Sequence, residues 1–451
     1  MDVPVASKTN PGAGDVELLA GAAGNRRPDH ETALLILVAL GLQALVWMLM
    51  IYLFQVYHIW YGFHDISDTL IYFGYAGNIA SGLHPYSGFP LEYPPLAIPL
   101  MTLPGHLATL TSYQNWFAYE MIALCAAAAA VTTATAARLW SGLGRPLATA
   151  AAFAAAVALT GAIVANRYDV AVALVIAIFA YCVMQRWWLL AAVILGLGFA
   201  LKLTPALLLP LVFVLAARRR HIVAAAIAFG VAALLPFVPY LLRGGHGLMY
   251  IFTYHAHRPL QVERLLASPY LIGQALGLTH VTIVNSYGSQ GLGGAAERQI
   301  ATLSPWLTLV ALAVVYAFVW RRRDYLRAPP SAVPLAALAL VLAFVCTSKV
   351  LSPQFIIWTF PLVALVAAGK GRGQRVLGLL LLAAMLLTQI EFPAQYWSFI
   401  TLHRGPIALV ALRNLVLLAA GVLAAVLVWR LPPDAPEGAP TVAPTVEPTR
   451  A

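Results

Sequence analysis

Charge is what this chain has least of. Asp, Glu, Lys and Arg make up only 10% of its 451 residues, where soluble domains carry about 25%, and 61% of the residues are hydrophobic. That balance excludes an ordinary soluble domain and implies a polytopic membrane protein. Cysteine is scarce too. Cys125, Cys182 and Cys346 each lie in an apolar run with no metal-binding spacing, so they read as small buried hydrophobes and not as a disulfide or zinc framework. There is no Gly-rich phosphate loop, no nucleotide-binding domain and no DxD pair. No cofactor is therefore expected, and no metal is required. Residues 1–30 hold no apolar core or small-residue cleavage site, which excludes a signal peptide there. Repeated halves of the transporter kind are absent as well.

The formal net charge of +10 could point to nucleic acid, but its distribution points elsewhere. Arg26-Arg27, Arg138 with Arg145, Arg186, Arg218 to Arg220, Arg321 to Arg323, Lys370 to Arg375 and Arg430 each abut an apolar run. Short basic loops of this kind mark the cytoplasmic side of a membrane protein. The layout expected from them is a disordered cytoplasmic tail over 1–30, a membrane domain over 31–430 with about twelve spans, and a Pro-, Ala- and Thr-rich cytoplasmic tail over 431–451. Two large outer loops, 58–95 and 243–299, interrupt the spans. Residues 95–111, broken at Pro99 and Pro104, read as a re-entrant segment or a short span. The run 188–217, broken at Lys202 and Pro205, reads as two short helices meeting on the outer side.

Polar chemistry collects in few places. The stretch His64 to Pro95 holds Asp65, Asp68, Glu92, two histidines and four tyrosines. Ser67 or Asp68 is placed to cap a helix starting at Thr69, with Gly82 to close it, and its apolar face suits the membrane surface. A carboxylate at that helix start is a plausible base. Of seventeen acidic residues eight lie in or beside the tails. Of the other nine, Asp65, Asp68, Glu92, Asp169, Glu263 and Glu391 map to the outer face, as do Arg167, Lys202, Arg258, Arg264, Lys349 and Arg404. Ionisable groups at one side of a helical bundle mark a polar cavity.

Several runs resemble glycosyltransferase family 87. They are Asp68-x-x-x-Tyr72, Gly82-x-x-Pro85-Tyr86 and Tyr93-Pro94-Pro95 in the first outer loop, and Tyr254-His255-x-x-Arg258-x-x-Gln261-x-Glu263 in the second. Lys202-x-x-Pro205 and Ser352-Pro353-Gln354-Phe355 followed by Trp358 match in the same order. The resemblance spans roughly 60–400. It departs where the family often has Glu-Ser and this chain has Glu263-Arg264.

The resemblance implies a C-type glycosyltransferase fold, an all-α bundle with an extracytoplasmic active site in the plasma membrane. It implies a polyprenyl-phosphate sugar as donor and a glycolipid or lipoglycan acceptor. Mannose, as in actinobacterial phosphatidylinositol mannoside assembly, is the expected sugar, with arabinofuranose the alternative; a lipid-linked sugar flippase is the competing class. The general base corresponds to Asp68, with Asp65 one turn away. An inverting transfer needs one carboxylate to take the acceptor proton, while the phosphate leaving group needs cations and N–H donors. Lys202, His255, His257 and Arg258 suit the phosphate. Tyr72, Tyr86, Glu92, Tyr93, Asp169, Gln261, Glu263 and Gln354 are the expected substrate contacts.

Overall fold

The computed structural model describes residues 29–434 apart from 106–108 and 329, so the expected tails fall almost wholly outside it. The apolar runs are helices. Among the described residues six are long and apolar enough to cross a membrane: Asp29–Val56, Leu110–Leu139, Arg219–Leu242, Glu297–Arg321, Arg372–Glu391 and Arg404–Trp429. Six shorter apolar helices accompany them: Gly144–Thr160, Asp169–Met184, Trp188–Leu201, Thr204–Ala216, Val333–Thr347 and Pro353–Ala367. The protein is a multi-pass helical membrane protein.

The helices are apolar nearly all round, so one face meets lipid and another meets protein. Small residues decide where helices approach each other. A Cβ added at Gly196 would lie 2.6 Å from the Phe229 carbonyl oxygen, so Trp188–Leu201 and Arg219–Leu234 cross backbone to backbone. Leu34, Leu37, Leu45 and Met48 on the first helix stay exposed, as a lipid-facing surface requires.

Successive helices run in alternate directions and give the molecule two unlike ends. At the arginine end, Arg138 lies 3.8 Å from Asp29. There Arg186 donates to the Arg327 carbonyl, Arg327 to that of Val214, and Arg322 to that of Trp429. Such bonds satisfy carbonyls left free at helix C-termini. At the other end lie the two large loops.

The first loop contains the helix Thr69–Ala80. Ser67 Oγ accepts the Thr69 N–H at 3.1 Å, and Gly82, at φ +86°, closes the far end. Asp68 occupies the cap position without making a cap bond, because its carboxylate turns to Arg167. The helix is also more enclosed than a surface helix, with Thr69, Tyr72 and Ala76 buried. The broken stretch after Pro95 forms only the six-residue helix Ala97–Thr102, far too short to span. The second loop folds further than expected. Leu260–Gln261, Thr282–Ser286 and Ser289–Gly293 form an antiparallel sheet with the last strand central. Its hairpin turns at Tyr287 and Gly288, both at positive φ, as a two-residue hairpin turn demands.

Candidate functional site

Asp65 and Asp68 have different surroundings. Asp65 is exposed, and its Oδ2 accepts the Gly62 N–H at 2.6 Å, closing a local turn. Asp68 Oδ2 lies 2.9 Å from Arg167 Nε and 3.5 Å from the Tyr72 hydroxyl, the outer limit of a hydrogen bond. Arg167 is buried, and its other nitrogens donate to the carbonyls of Ile66 and Asn166. Asn166 in turn donates to the Phe63 carbonyl. The Asn166-Arg167 pair thus fixes the first loop against the bundle, while the Asp68 side chain keeps 26% of its surface open.

Lys202 ends its helix in extended conformation, φ −158° and ψ 129°. Its ammonium lies 2.7 Å from Asp169 Oδ1, which also accepts the Trp358 indole N–H at 2.6 Å. The rings of Tyr168, Trp358 and Phe355 stand 4.9, 5.2 and 5.4 Å from the ammonium, so cation–π attraction supplements the ion pair. Asp169 is fully buried, and two donors offset its loss of water. Gln354, half-buried, lies in the 3₁₀ turn that carries Phe355 and Trp358.

The second loop brings Arg258, His255 and Lys349 to the same end. Arg258 stacks over the Tyr254 ring at 5.6 Å, and its Nε donates to Ser289 Oγ at 3.4 Å. Lys349 donates to the Ala256 carbonyl at 2.6 Å. His255 is exposed on its helix, while desolvation by the surrounding protein, with Arg258, Lys202 and Lys349 nearby, pushes its pKa down to about 4. At neutral pH it is an uncharged N–H donor. His257 is exposed, and its Nδ1 is bound to the Thr253 carbonyl.

Tyr86 is buried at φ +67°, and its hydroxyl donates to the Tyr93 carbonyl at 2.6 Å. Tyr93 packs edge-on against Tyr72 and Tyr168. Glu92 accepts the Tyr75 hydroxyl at 2.5 Å, and burial raises its carboxyl pKa in spite of that bond. Glu92 borders a cavity of about 340 Å³ between the two loops. Another, of about 440 Å³, is bordered by Gln55, His58, His64 and Asp65. Asp68 lines neither.

Gln261, Glu263 and Arg264 are buried away from both cavities. Gln261 donates to Glu263 Oε2 at 2.6 Å. The Glu263 carbonyl accepts from Arg413 and Asn414, and Arg413 lies 3.8 Å from Glu391. Arg264 donates to Ser304 Oγ and to the Thr347 carbonyl. These residues anchor the second loop to three helices. Arg264 is one of those anchors.

The six expected carboxylates do gather at the loop end, whereas Arg404 stands exposed at the start of the last helix. Arg413, Asn414, Asn78 and Tyr250 escaped the reading of the sequence. Arg413-Asn414 carried a usable signal, two adjacent polar residues inside an apolar run. Asn78 and Tyr250 carried none. No curated relative matches the chain. The family model of glycosyltransferase family 87 matches residues 91–353, more than half of the chain, including Arg167, Asp169, Lys202 and Arg258 but stopping short of Asp68, which reaches that segment through Arg167. The chain belongs to glycosyltransferase family 87 and is a membrane glycosyltransferase.

Proposed function

We propose that the protein transfers mannose from a polyprenyl-phosphate donor to a glycolipid or lipoglycan acceptor, with inversion, on the extracytoplasmic face of the plasma membrane. The observation that carries this reading is the partly open Asp68 carboxylate held by Arg167 at the end where both loops meet. In the reaction the acceptor hydroxyl gives its proton to Asp68 as its oxygen bonds to the anomeric carbon. The bond from that carbon to the phosphate oxygen breaks on the opposite face, and the phosphate leaves with the electron pair. Arg258 supplies positive charge to the departing phosphate and neutral His255 an N–H, with Lys202 behind them. The arginine end then faces the cytoplasm.

Membranes containing the protein, incubated with labelled polyprenyl-phosphate mannose and separately with the arabinose analogue, test the reading. Mannose is expected in the lipid fraction. Asp68→Asn should lower transfer at least about 100-fold, the usual scale for a lost general base, while Asp65→Asn keeps most of it. Near-normal transfer by Asp68→Asn would remove the assignment, and label entering only from the arabinose donor would change the sugar.

A further inference from the structure

The 340 Å³ cavity lies near the small end of the range for small-molecule sites, about 300–1,000 Å³. We propose that it is a sugar-ring subsite holding one uncharged pyranose or furanose ring, bordered by Tyr75, Asn78, Phe89, Glu92, Tyr250 and Tyr254. The inference deepens the transfer reading and rests on it for the identity of the substrates.

Three observations select this ligand class. The first is the aromatic lining. Tyr75 and Phe89 of the first loop stack at 5.8 Å and 20°, and Tyr250 and Tyr254 of the second tilt at 5.6 Å and 59°. A sugar ring has apolar C–H faces that suit such surfaces, and hydroxyls around its edge that do not. The second is the polar pair that serves the edge. The Glu92 carboxyl is oriented by the Tyr75 hydroxyl, and the Asn78 amide offers both donors and an acceptor. The third is the charge. No Lys or Arg lines the cavity, and Glu92 disfavours a phosphate there. The nearby cation, Arg258, stacks on the Tyr254 ring, so the charged part of a donor belongs on that side and the neutral polyol inside. A polyprenyl chain is too large for the space.

Gly288 completes the wall. It lines the cavity at the hairpin turn, and a Cβ added there would collide with the Tyr254 hydroxyl. The hairpin turn therefore packs against Tyr254 within the second loop, which holds that ring at the cavity wall.

Saturation-transfer NMR on the full-length protein in nanodiscs, with methyl α-mannopyranoside and methyl arabinofuranoside as probes, tests the subsite. Ring C–H protons of at least one glycoside should receive saturation. Asn78→Ala, at a half-buried helix position that tolerates alanine, should weaken that binding about fivefold, as loss of one hydrogen bond does. Glu92→Gln should weaken it less, because the amide still accepts from Tyr75. Asp68→Asn should abolish transfer and leave glycoside binding intact, which separates failure of the subsite from failure of the catalytic reading. Displacement of the glycoside by polyprenyl-phosphate mannose would assign the ring to the donor, and retention would assign it to the acceptor. No saturation for either glycoside, or equal saturation in wild type and Asn78→Ala, would overturn the proposal.

Discussion

Lys202 is enclosed by Asp169 and three aromatic rings, so its ammonium is committed before any substrate arrives. Lys202→Met would leave a buried carboxylate with only the Trp358 N–H for company. We expect a loss of about 3 kcal/mol, at the low end for breaking a buried pair, seen as easier unfolding in detergent. Asp169→Asn in the same chain should recover part of it. An unchanged Lys202→Met protein with weakened donor binding would show that the phosphate, and not Asp169, is the principal partner. Glu92 gives a pH-dependent test. Its folded pKa is raised by burial above the unfolded value of about 4.3. The stability it contributes is thus complete below that value and is lost as pH rises through the folded one. Glu92→Gln cannot titrate, so its melting temperature should gain on wild type as pH rises from about 4.3. Parallel melting curves across that range would contradict the raised value.

The buried joint between the second loop and the last helix carries the next test. Arg413 bonds the Glu263 carbonyl and lies beside Glu391, and all three residues are buried. Arg413→Met should cost about 3 kcal/mol by removing the cation beside the Glu391 carboxyl and the donor to the Glu263 carbonyl. Adding Glu391→Gln should restore part of the melting temperature. If the second change gives no recovery, Glu391 is not coupled to Arg413. The same joint shows what reading the sequence could and could not reach. Helix positions were legible because apolar runs stop at arginines and prolines; the break at Lys202-x-x-Pro205 is one case. The packing of Gln261 and Glu263 was not legible. The partners of the Glu263 carbonyl lie about 150 residues away, and the three-residue steps of the Tyr254 to Glu263 run look alike whether a side chain meets substrate or protein. The sheet was hidden for a related reason, since its central strand, Ser-Gln-Gly-Leu-Gly, lacks the β-branched residues that announce a strand. In the first loop the Thr69 helix was legible from Ser67 and Gly82, but the Asp68–Arg167 pairing depends on a tertiary contact.

The two unlike ends predict how the molecule sits in a bilayer. Cysteines introduced at Ser87 and Leu278 should react with an impermeant thiol reagent in intact cells, and those at Arg219 and Arg372 only after permeabilisation. Leu278 is 76% exposed, which suits it as a probe of the second loop. The native cysteines are buried and should stay silent. Labelling of Arg219→Cys in intact cells would invert the orientation. Helix length carries a further consequence. Asp169–Met184 has 16 residues and Trp188–Leu201 has 14, about 24 and 21 Å of rise against a hydrocarbon core of about 30 Å. With their lower ends at the arginine surface, their upper ends, which carry Asp169 and lead into Lys202, stop several ångströms beneath the opposite headgroups. The floor of the site is thus a recess sunk within the leaflet. The lipid-linked donor proposed above would reach it by drifting sideways, its tail never leaving the oil.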